Sequence, residues 1–178
     1  MYKRQTVQVF GSEALQSVGM SIDFDLENPK VAEFLNEKPM KFAREINETT
    51  LKQLRKNLVE GVQAGEGIPE LARRVQDVFE GATTYRARRT ARTEVIGSSN
   101  FANNEALANS GVVNEKSWLS SLDNRVRDAH REAHNQTVKV DKPFIVMGEE
   151  LEYPGDYRGS AENIVNCRCT EIAESFNE

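Results

Sequence analysis

The sequence predicts an α+β protein, in which a helical N-terminal part is followed by a small, mostly antiparallel sheet with a short helix. From residue 28 to about residue 111, hydrophobic residues recur close to the helical period of about 3.6. Strand-like runs separated by turn residues cluster after residue 114. Helices first and strands later is the order typical of this class. With 38% hydrophobic and 29% charged residues, the chain has enough apolar material to build a core.

The first 28 residues show weak periodicity. Residues 5–10, QTVQVF, are the candidate for a short strand, and the rest of this stretch is predicted to be an arm. Pro29 suits the first turn of a helix, whose apolar face would carry Val31, Phe34 and Leu35. We expect residues 1–38 to form an N-terminal arm or extension, with its weakly patterned first part ordered only in an assembly.

Three further helices are predicted in a helical region that spans residues 39–113. The first covers residues 39–65, ends at Gly61 and Gly65, and has an apolar stripe of Ala43, Ile46, Leu51, Leu54, Leu58 and Val62. The second covers residues 67–81, closes at Gly81, and turns inward Leu71, Ala72, Val75, Val78 and Phe79. The third is long and begins at a cap, Thr83 or Thr84.

The remaining residues, 114–178, are predicted to form a small α+β unit. Its elements are a strand in KSWLSSL, a turn at Asp123-Asn124, a short helix in RVRDAHREAHN, strands in TVKV and PFIVM, and a last strand near the cysteines. Trp118 and Phe144 are the expected anchors of its core, with Trp118 buried near Phe144 and the strand bearing Cys167. Residues 39–178 together are expected to form one domain.

Charge is unevenly distributed. The net charge of −5 argues against a protein that binds nucleic acid over its whole surface. Residues 85–93, YRARRTART, nevertheless hold four arginines and no acid. On a helix, Arg86, Arg89 and Arg92 would form a basic ridge for DNA phosphates. The alternatives are a solvated face paired with Glu94 and other acids, or buried ion pairs.

The apolar runs are too short for a membrane span, and no apolar stretch follows the basic start of the chain, so we expect neither a membrane anchor nor a secretory signal.

Two cysteines, Cys167 and Cys169, flank one arginine near the end of the sequence. A disulfide between them is not expected, because neighbouring side chains two apart on a strand point to opposite faces. His130 and His134 are spaced i and i+4, which on a helix presents both imidazoles on one side. Imidazole and thiolate suit zinc, so these four residues are candidate zinc ligands. We favour the other interpretation, which needs no cofactor: the histidines lie at the surface and the cysteines pack as small buried apolar groups.

Taken together, the motifs resemble the phage Mu protein F-like head morphogenesis family of minor head proteins. The resemblance covers about residues 40–173 and is carried, in this order, by RARRTARTEVIGSSNFANNEAL, KSWLSSLDNRVRDAHREAHNQTV, KPFIV, YPGD and AENIVNCRC. It places the family's motif positions on Arg89, Arg92, Glu94, Trp118, Asp123, Arg125, Arg127, His130, Phe144, Pro154, Asp156, Asn166, Cys167, Arg168 and Cys169.

This sequence departs from the family pattern at two places. Ala133-His134-Asn135 stands where members often have Leu-Asp-Gly. Some relatives have a pair of cysteines at the positions of Arg127 and His130, where only His130 can ligate a metal in this chain. The resemblance places the cysteines near the helix that carries His130, and Arg168 is then expected to bond Asp123 or another buried acid.

The resemblance implies a non-enzymatic minor head protein of a phage or prophage. Such a protein would fold in the host cytoplasm and lie inside the head near the portal. Its expected partners are the portal protein, the major capsid protein or both, and DNA during packaging or delivery. The alternative is a nuclease or nucleotide-modifying enzyme that uses Asp123, Arg125, Arg127, His130 and Arg168 to handle phosphates. The same charges could instead form an ion network that holds the sheet to the helices.

Overall fold

The structure is a computed structural model that describes residues 2–37, 48–78 and 84–176. Five helices come first: α1 (Tyr2–Ser17), α2 (Pro29–Glu37), α3 (Glu48–Gln63), α4 (Ile68–Val78) and α5 (Thr84–Asn109). They are followed by β1 (Val113–Leu119), α6 (Asp128–Glu132), β2 (Thr137–Lys139), β3 (Phe144–Val146), β4 (Glu149–Leu151), α7 (Ala161–Ile164) and β5 (Thr170–Phe176). This order confirms the predicted α+β class.

The long helix α5 is the centre of the helical layer. α1 and α4 both pack on α5, and α3 packs on α4. One core cluster joins α3, α4 and the first half of α5 through buried Leu54, Leu58, Leu71, Ala72, Val75, Ala87, Ala91 and Val95. The small alanines on α5 let the neighbouring helix approach closely. None of the described helices has the length and apolar character needed to cross a bilayer.

The apolar stripe predicted for α3 is confirmed at Leu54 and Leu58, which are buried. Gly61, however, does not end this helix, which continues to Gln63. A Cβ at Gly61 would come within 2.5 Å of a methyl group of Leu71, so its place in the sequence reflects close packing of α3 on α4.

Several predicted positions lie outside the part of the chain that the structure describes. They are Ala43 and Ile46, the side chain of Leu51, and Phe79, Gly81 and Thr83.

The strand predicted for residues 5–10 is wrong, because these residues belong to α1. Val7, Ala14 and Leu15 are buried in a second cluster with Phe24, Phe34, Phe101 and Tyr153. The rings of Phe34 on α2 and Phe101 on α5 stack with a centroid separation of 3.6 Å. Residues 2–37 thus pack against α5 of the same chain, which does not fit an arm ordered only in an assembly. The domain boundary at residue 38 stays a prediction.

The strands form two small antiparallel sheets. One has the order β2-β1-β5, with Ser117 opposite Thr137 and Trp118 opposite Glu171. The other is the hairpin β3-β4, whose turn residues Met147 and Gly148 both have positive φ, as a two-residue hairpin turn requires. The very short β4 and α7 were not predicted. The turn at Asp123-Asn124 is confirmed, and the Asp123 carboxylate accepts a hydrogen bond from the Arg125 backbone N–H at 2.8 Å.

Trp118 is confirmed as the anchor of the core under these sheets. Its side chain is completely buried, and it packs in one cluster with Phe144, Leu151, Cys167 and Cys169. The Trp118 and Phe144 rings meet edge to face at 5.4 Å. Cys167 lies in the segment before β5 rather than on the strand itself.

Amide side chains join α5 to the sheet. The Asn100 amide donates to the carbonyl oxygens of Pro154 at 2.7 Å and Cys169 at 2.8 Å. One turn later, the Asn103 amide donates to the carbonyl of Glu171 at 3.1 Å. These bonds satisfy backbone acceptors that lie between the sheet and the helix, so α5 is attached to the β unit by polar contacts as well as by packing.

Candidate functional site

A histidine and both cysteines meet between α6 and the segment that leads into β5. The His130 Nδ1 atom lies 3.4 Å from the Cys169 sulfur and 3.7 Å from the Cys167 sulfur. The three potential ligand atoms all lie within 4.8 Å of one another, and all three residues are buried. We call these residues the His-Cys cluster.

Local backbone geometry explains how two cysteines spaced i and i+2 reach the same imidazole. A regular strand would direct their sulfurs to opposite faces. Here Cys167 and Cys169 precede β5, and Asn166 adopts a left-handed conformation with φ of +59°. The Asn166 backbone N–H donates to the Thr93 hydroxyl on α5 at 2.8 Å, which holds this bend in place.

Asn163 on α7 determines which nitrogen of His130 carries the proton. The Asn163 amide nitrogen donates to the carbonyl of Val146 at 3.3 Å, so its amide oxygen must face the His130 Nε2 atom, 3.2 Å away. Because that oxygen can only accept, Nε2 carries the hydrogen and Nδ1 presents its lone pair to the sulfurs. The Trp118 ring packs edge-on against the imidazole at 5.4 Å and limits its rotation.

The two thiols differ in acidity. The hydrogen bond from Cys167 lowers the pKa of Cys169, although burial opposes this. The hydrogen bond to Cys169 and burial raise the pKa of Cys167 well above its usual value.

His134 does not belong to this cluster, so three of the four predicted zinc ligands come together. α6 ends at Glu132, and His134 lies in the following turn. Its Nδ1 atom accepts a hydrogen bond from the Ser120 backbone N–H at 3.1 Å, which ties the turn to the end of β1. The helical i, i+4 spacing that suggested shared ligation is not maintained.

A second group of charged side chains includes Arg168 of the NCRC segment. The guanidinium group of Arg92 interacts electrostatically with those of Arg88, Arg125 and Arg168, and the carboxylate of Asp123 interacts with Arg125 and Arg168. Arg88 and Arg125 are exposed, whereas Arg92 and Arg168 are half-buried. We call these four residues the arginine cluster.

Asp123 offsets only part of this charge. Arg168 binds it with two hydrogen bonds, one of them from Nη2 to Oδ1 at 2.7 Å, which confirms the predicted pair. The hydrogen bond from Arg168 lowers the pKa of Asp123. Burial lowers the pKa of Arg92, and the positive charges of the other three members lower it further. The carboxylate of Asp123 opposes this shift but does not cancel it.

The expectation that Arg168 bonds a buried acid is wrong, since the Asp123 side chain is 41% exposed.

Among the residues of the predicted DNA ridge, Arg92 belongs to the arginine cluster and donates to the Asn166 amide oxygen at 2.6 Å. Arg89 is half-buried, and the side chain of Arg86 lies outside the described residues. Arg127 donates to the carbonyl of Val165, and Glu94 is buried within α5.

Comparison with known proteins identifies the family. The sequence model described as "Phage Mu protein F like protein" matches residues 52–172, which include both the His-Cys cluster and the arginine cluster. The chain belongs to this family of phage head proteins. The MuF-like chain is also similar to "Uncharacterized protein YqbB" of Bacillus subtilis (strain 168), with 25% identity over 172 residues. That alignment covers 94% of this chain and 56% of the relative, so the chain spans little more than half of the relative's length. No solved structure matched.

The Asp156 motif position of this MuF-like chain has a structural explanation. Its carboxylate is completely buried and accepts hydrogen bonds from the backbone N–H of Glu152 at 3.0 Å and of Arg158 at 3.1 Å. The Arg158 guanidinium adds a bond at 2.6 Å. The preceding Gly155 has φ of +82°, and a Cβ there would lie 3.4 Å from the Cα of Gly97. Asp156 therefore fixes a tight turn against α5.

Sequence reasoning missed a buried lysine–glutamate pair. The Lys116 ammonium lies 3.7 Å from the Glu171 carboxylate and donates to the Asn104 amide oxygen at 2.5 Å. Burial raises the pKa of Glu171 to about 8 and lowers that of Lys116. A signal was present, because on a strand Lys116 shares a face with Trp118, two residues away.

Proposed function

We propose that this chain is a minor head protein that acts in phage head morphogenesis beside the portal, inside the head. Membership of the MuF-like family supports a role in the head, and the arginine cluster is the observation that carries the finer proposal. The excess of guanidinium groups over the single carboxylate gives this surface a local positive charge on a chain whose net charge is −5. A chain with this charge distribution binds an acidic partner at one place rather than over its whole surface.

The proposed partner of the arginine cluster is DNA that enters or leaves through the portal. Arg88 and Arg125 are exposed, and guanidinium groups suit phosphate oxygens because they present several N–H donors in one plane. Contact with phosphates alone gives weak, sequence-independent binding, as suits a head protein that must let DNA pass.

Titration of duplex DNA at several salt concentrations tests this contact. The double variant Arg88→Ala/Arg125→Ala should bind more weakly and should lower the slope of log affinity against log salt by about 1.8, which corresponds to two lost phosphate contacts. Arg73→Ala/Arg131→Ala is a matched control, because it removes two exposed arginines at other places. Equal binding by both double variants would refute the DNA contact.

Location beside the portal is tested separately, by co-expressing the chain with the portal protein of the same phage. We expect the two proteins to co-purify through an affinity tag on the portal, and phage lacking this chain to package or deliver DNA poorly. Failure to co-purify with the portal, together with normal heads in its absence, would overturn the proposed role.

The enzymatic alternative has less support. Asp123 is held by Arg168, and Arg127 is held by the carbonyl of Val165. His130 is buried, and both of its ring nitrogens have partners, Asn163 on one side and the two sulfurs on the other. A general acid or base must reach its substrate. We therefore propose a non-enzymatic role, and we expect no nicking of plasmid DNA by the purified chain with magnesium.

A further inference from the structure

The geometry of the His-Cys cluster points to a binding site for a metal ion. We propose that His130, Cys167 and Cys169 bind one zinc ion through Nδ1 and the two sulfurs. This inference does not depend on the portal or DNA contacts proposed above, because the three residues face the core under the sheets.

The separations between the ligand atoms fit zinc. In a tetrahedral site with Zn–S bonds of about 2.3 Å and Zn–N bonds of about 2.05 Å, sulfur and nitrogen lie about 3.6 Å apart. The distances from His130 Nδ1 to the two sulfurs are 3.4 and 3.7 Å, on either side of that value. All three ligand atoms lie within 4.8 Å of one another, so a single ion can contact all of them.

The protonation of His130 is also the one a metal requires. A ligating histidine must offer an unprotonated nitrogen and usually donates its other N–H to a fixed acceptor. Asn163 supplies this acceptor to Nε2 at 3.2 Å, and its own amide group is oriented by the Val146 carbonyl. The lone pair of Nδ1 is therefore directed at the two sulfurs before any ion binds.

The chemistry of the ligands selects zinc over the common hard cations. Two thiolates and one imidazole are borderline-soft ligands, whereas magnesium and calcium prefer oxygen. Three protein ligands leave the fourth position of a tetrahedron for a water molecule. Because all three residues are at most 2% exposed, the ion would stabilise structure rather than bind a substrate. It would link α6 to the segment before β5, across 37 residues of sequence.

Metal analysis of the intact chain tests the site directly. Protein purified without chelator should contain zinc in an amount equal to the protein, and X-ray absorption should give two sulfur and one or two lighter neighbours. Metal-free protein titrated with cobalt should develop the sulfur-to-cobalt charge-transfer band of a tetrahedral thiolate site, and zinc should displace the cobalt. Zinc-free protein that gains neither the cobalt band nor thermal stability on adding metal would overturn the proposal.

Variants identify the ligands. Cys167→Ser, Cys169→Ser and His130→Asn should each lose the stoichiometric metal, whereas His134→Asn should keep it, because His134 bonds to Ser120 instead. Metal retained by a double cysteine variant would refute the assignment.

A milder change in the residue that orients His130 tests the site even where a ligand variant fails to fold. Asn163→Ala should weaken zinc binding by about 10–100-fold, because it removes the acceptor for Nε2–H. Asn163→Asp keeps an acceptor at that place and should restore most of the affinity. Equal zinc affinity in Asn163→Ala and the unaltered chain would show that the imidazole does not bind the metal.

Discussion

Replacement of Trp118 by alanine is the most direct test of the core under the sheets. Trp118 is completely buried, and its indole meets the rings of both His130 and Phe144 edge to face at 5.4 Å. Its backbone is held as well, because its N–H donates to the carbonyl of Gln136 at 3.0 Å and its carbonyl accepts from Asn135 at 2.8 Å. The alanine variant keeps these backbone bonds, so the experiment isolates the side chain.

The expected loss of stability follows from the area that the indole removes from water. A buried tryptophan covers about 150–250 Å², which at about 25 cal/mol per Å² corresponds to about 4–6 kcal/mol. The unfolded chain already buries part of this area, which lowers the expected loss of stability by about 10–40%. We therefore expect Trp118→Ala to lower the free energy of unfolding by about 3–5 kcal/mol, in line with other tryptophan-to-alanine changes in cores. The free energy of unfolding of a whole domain is only about 5–15 kcal/mol, so the variant will be close to unfolding.

Urea unfolding followed by far-ultraviolet circular dichroism measures this change, because Trp118 is the only tryptophan and its fluorescence is lost in the variant. Ile145→Ala is the control, since Ile145 neighbours Phe144 on β3 but is 51% exposed and should cost less than about 0.5 kcal/mol. A loss below about 1 kcal/mol for Trp118→Ala would refute the reasoning. So would a solvent-exposed emission maximum in the unaltered protein.

Three further predictions concern polar contacts. Arg168→Ala should raise the pKa of Asp123, which NMR measures. Because Arg168 lowers the pKa of Asp123 in the folded protein, the pair stabilises the protein above a pH of about 3.9. That contribution disappears as the pH falls through the pKa that Asp123 has in the folded protein. Asn100→Ala should cost about 2–4 kcal/mol in urea unfolding, because it leaves two buried carbonyls without a donor. Lys116→Met should raise the pKa of Glu171 further, because the charge of Lys116 opposes the effect of burial, and adding Glu171→Gln should remove the resulting pH dependence of urea unfolding.

The predictable parts of the fold are the helices whose buried face is marked in the sequence by an unbroken stripe of hydrophobic side chains. Helices α2, α3 and α4 follow from their apolar stripes. α1 was missed because its buried face runs through Val7, Gly11, Ala14 and Leu15, and the glycine interrupts the pattern. In the structure a Cβ at Gly11 would lie 2.4 Å from the ring of Phe24, which lies in the loop after α1 and fills this gap. Sequence periodicity does not show such a partner.

The candidate site shows the same limit. The approach of His130 to the NCRC segment and the Arg168–Asp123 pair were predictable, because the order of motifs resembles a known family. The exclusion of His134 was not, since it depends on where a five-residue helix ends. The role of Asn163 was not predictable either, because it depends on α7, a single turn whose position is set by tertiary contacts.

The side chain of Asn100 connects helix α5 to the backbone of the His-Cys cluster. Its amide donates to the backbone carbonyl of Cys169, whose sulfur lies 3.4 Å from the His130 imidazole. On the same segment, the Asn166 N–H is bonded to Thr93 on α5. The backbone that positions both cysteines is therefore held from the helical side, so displacement of α5 would disturb the ligand geometry directly. The segment bearing both cysteines thus takes hydrogen-bond partners from α5, and the division of the chain into domains stays a prediction.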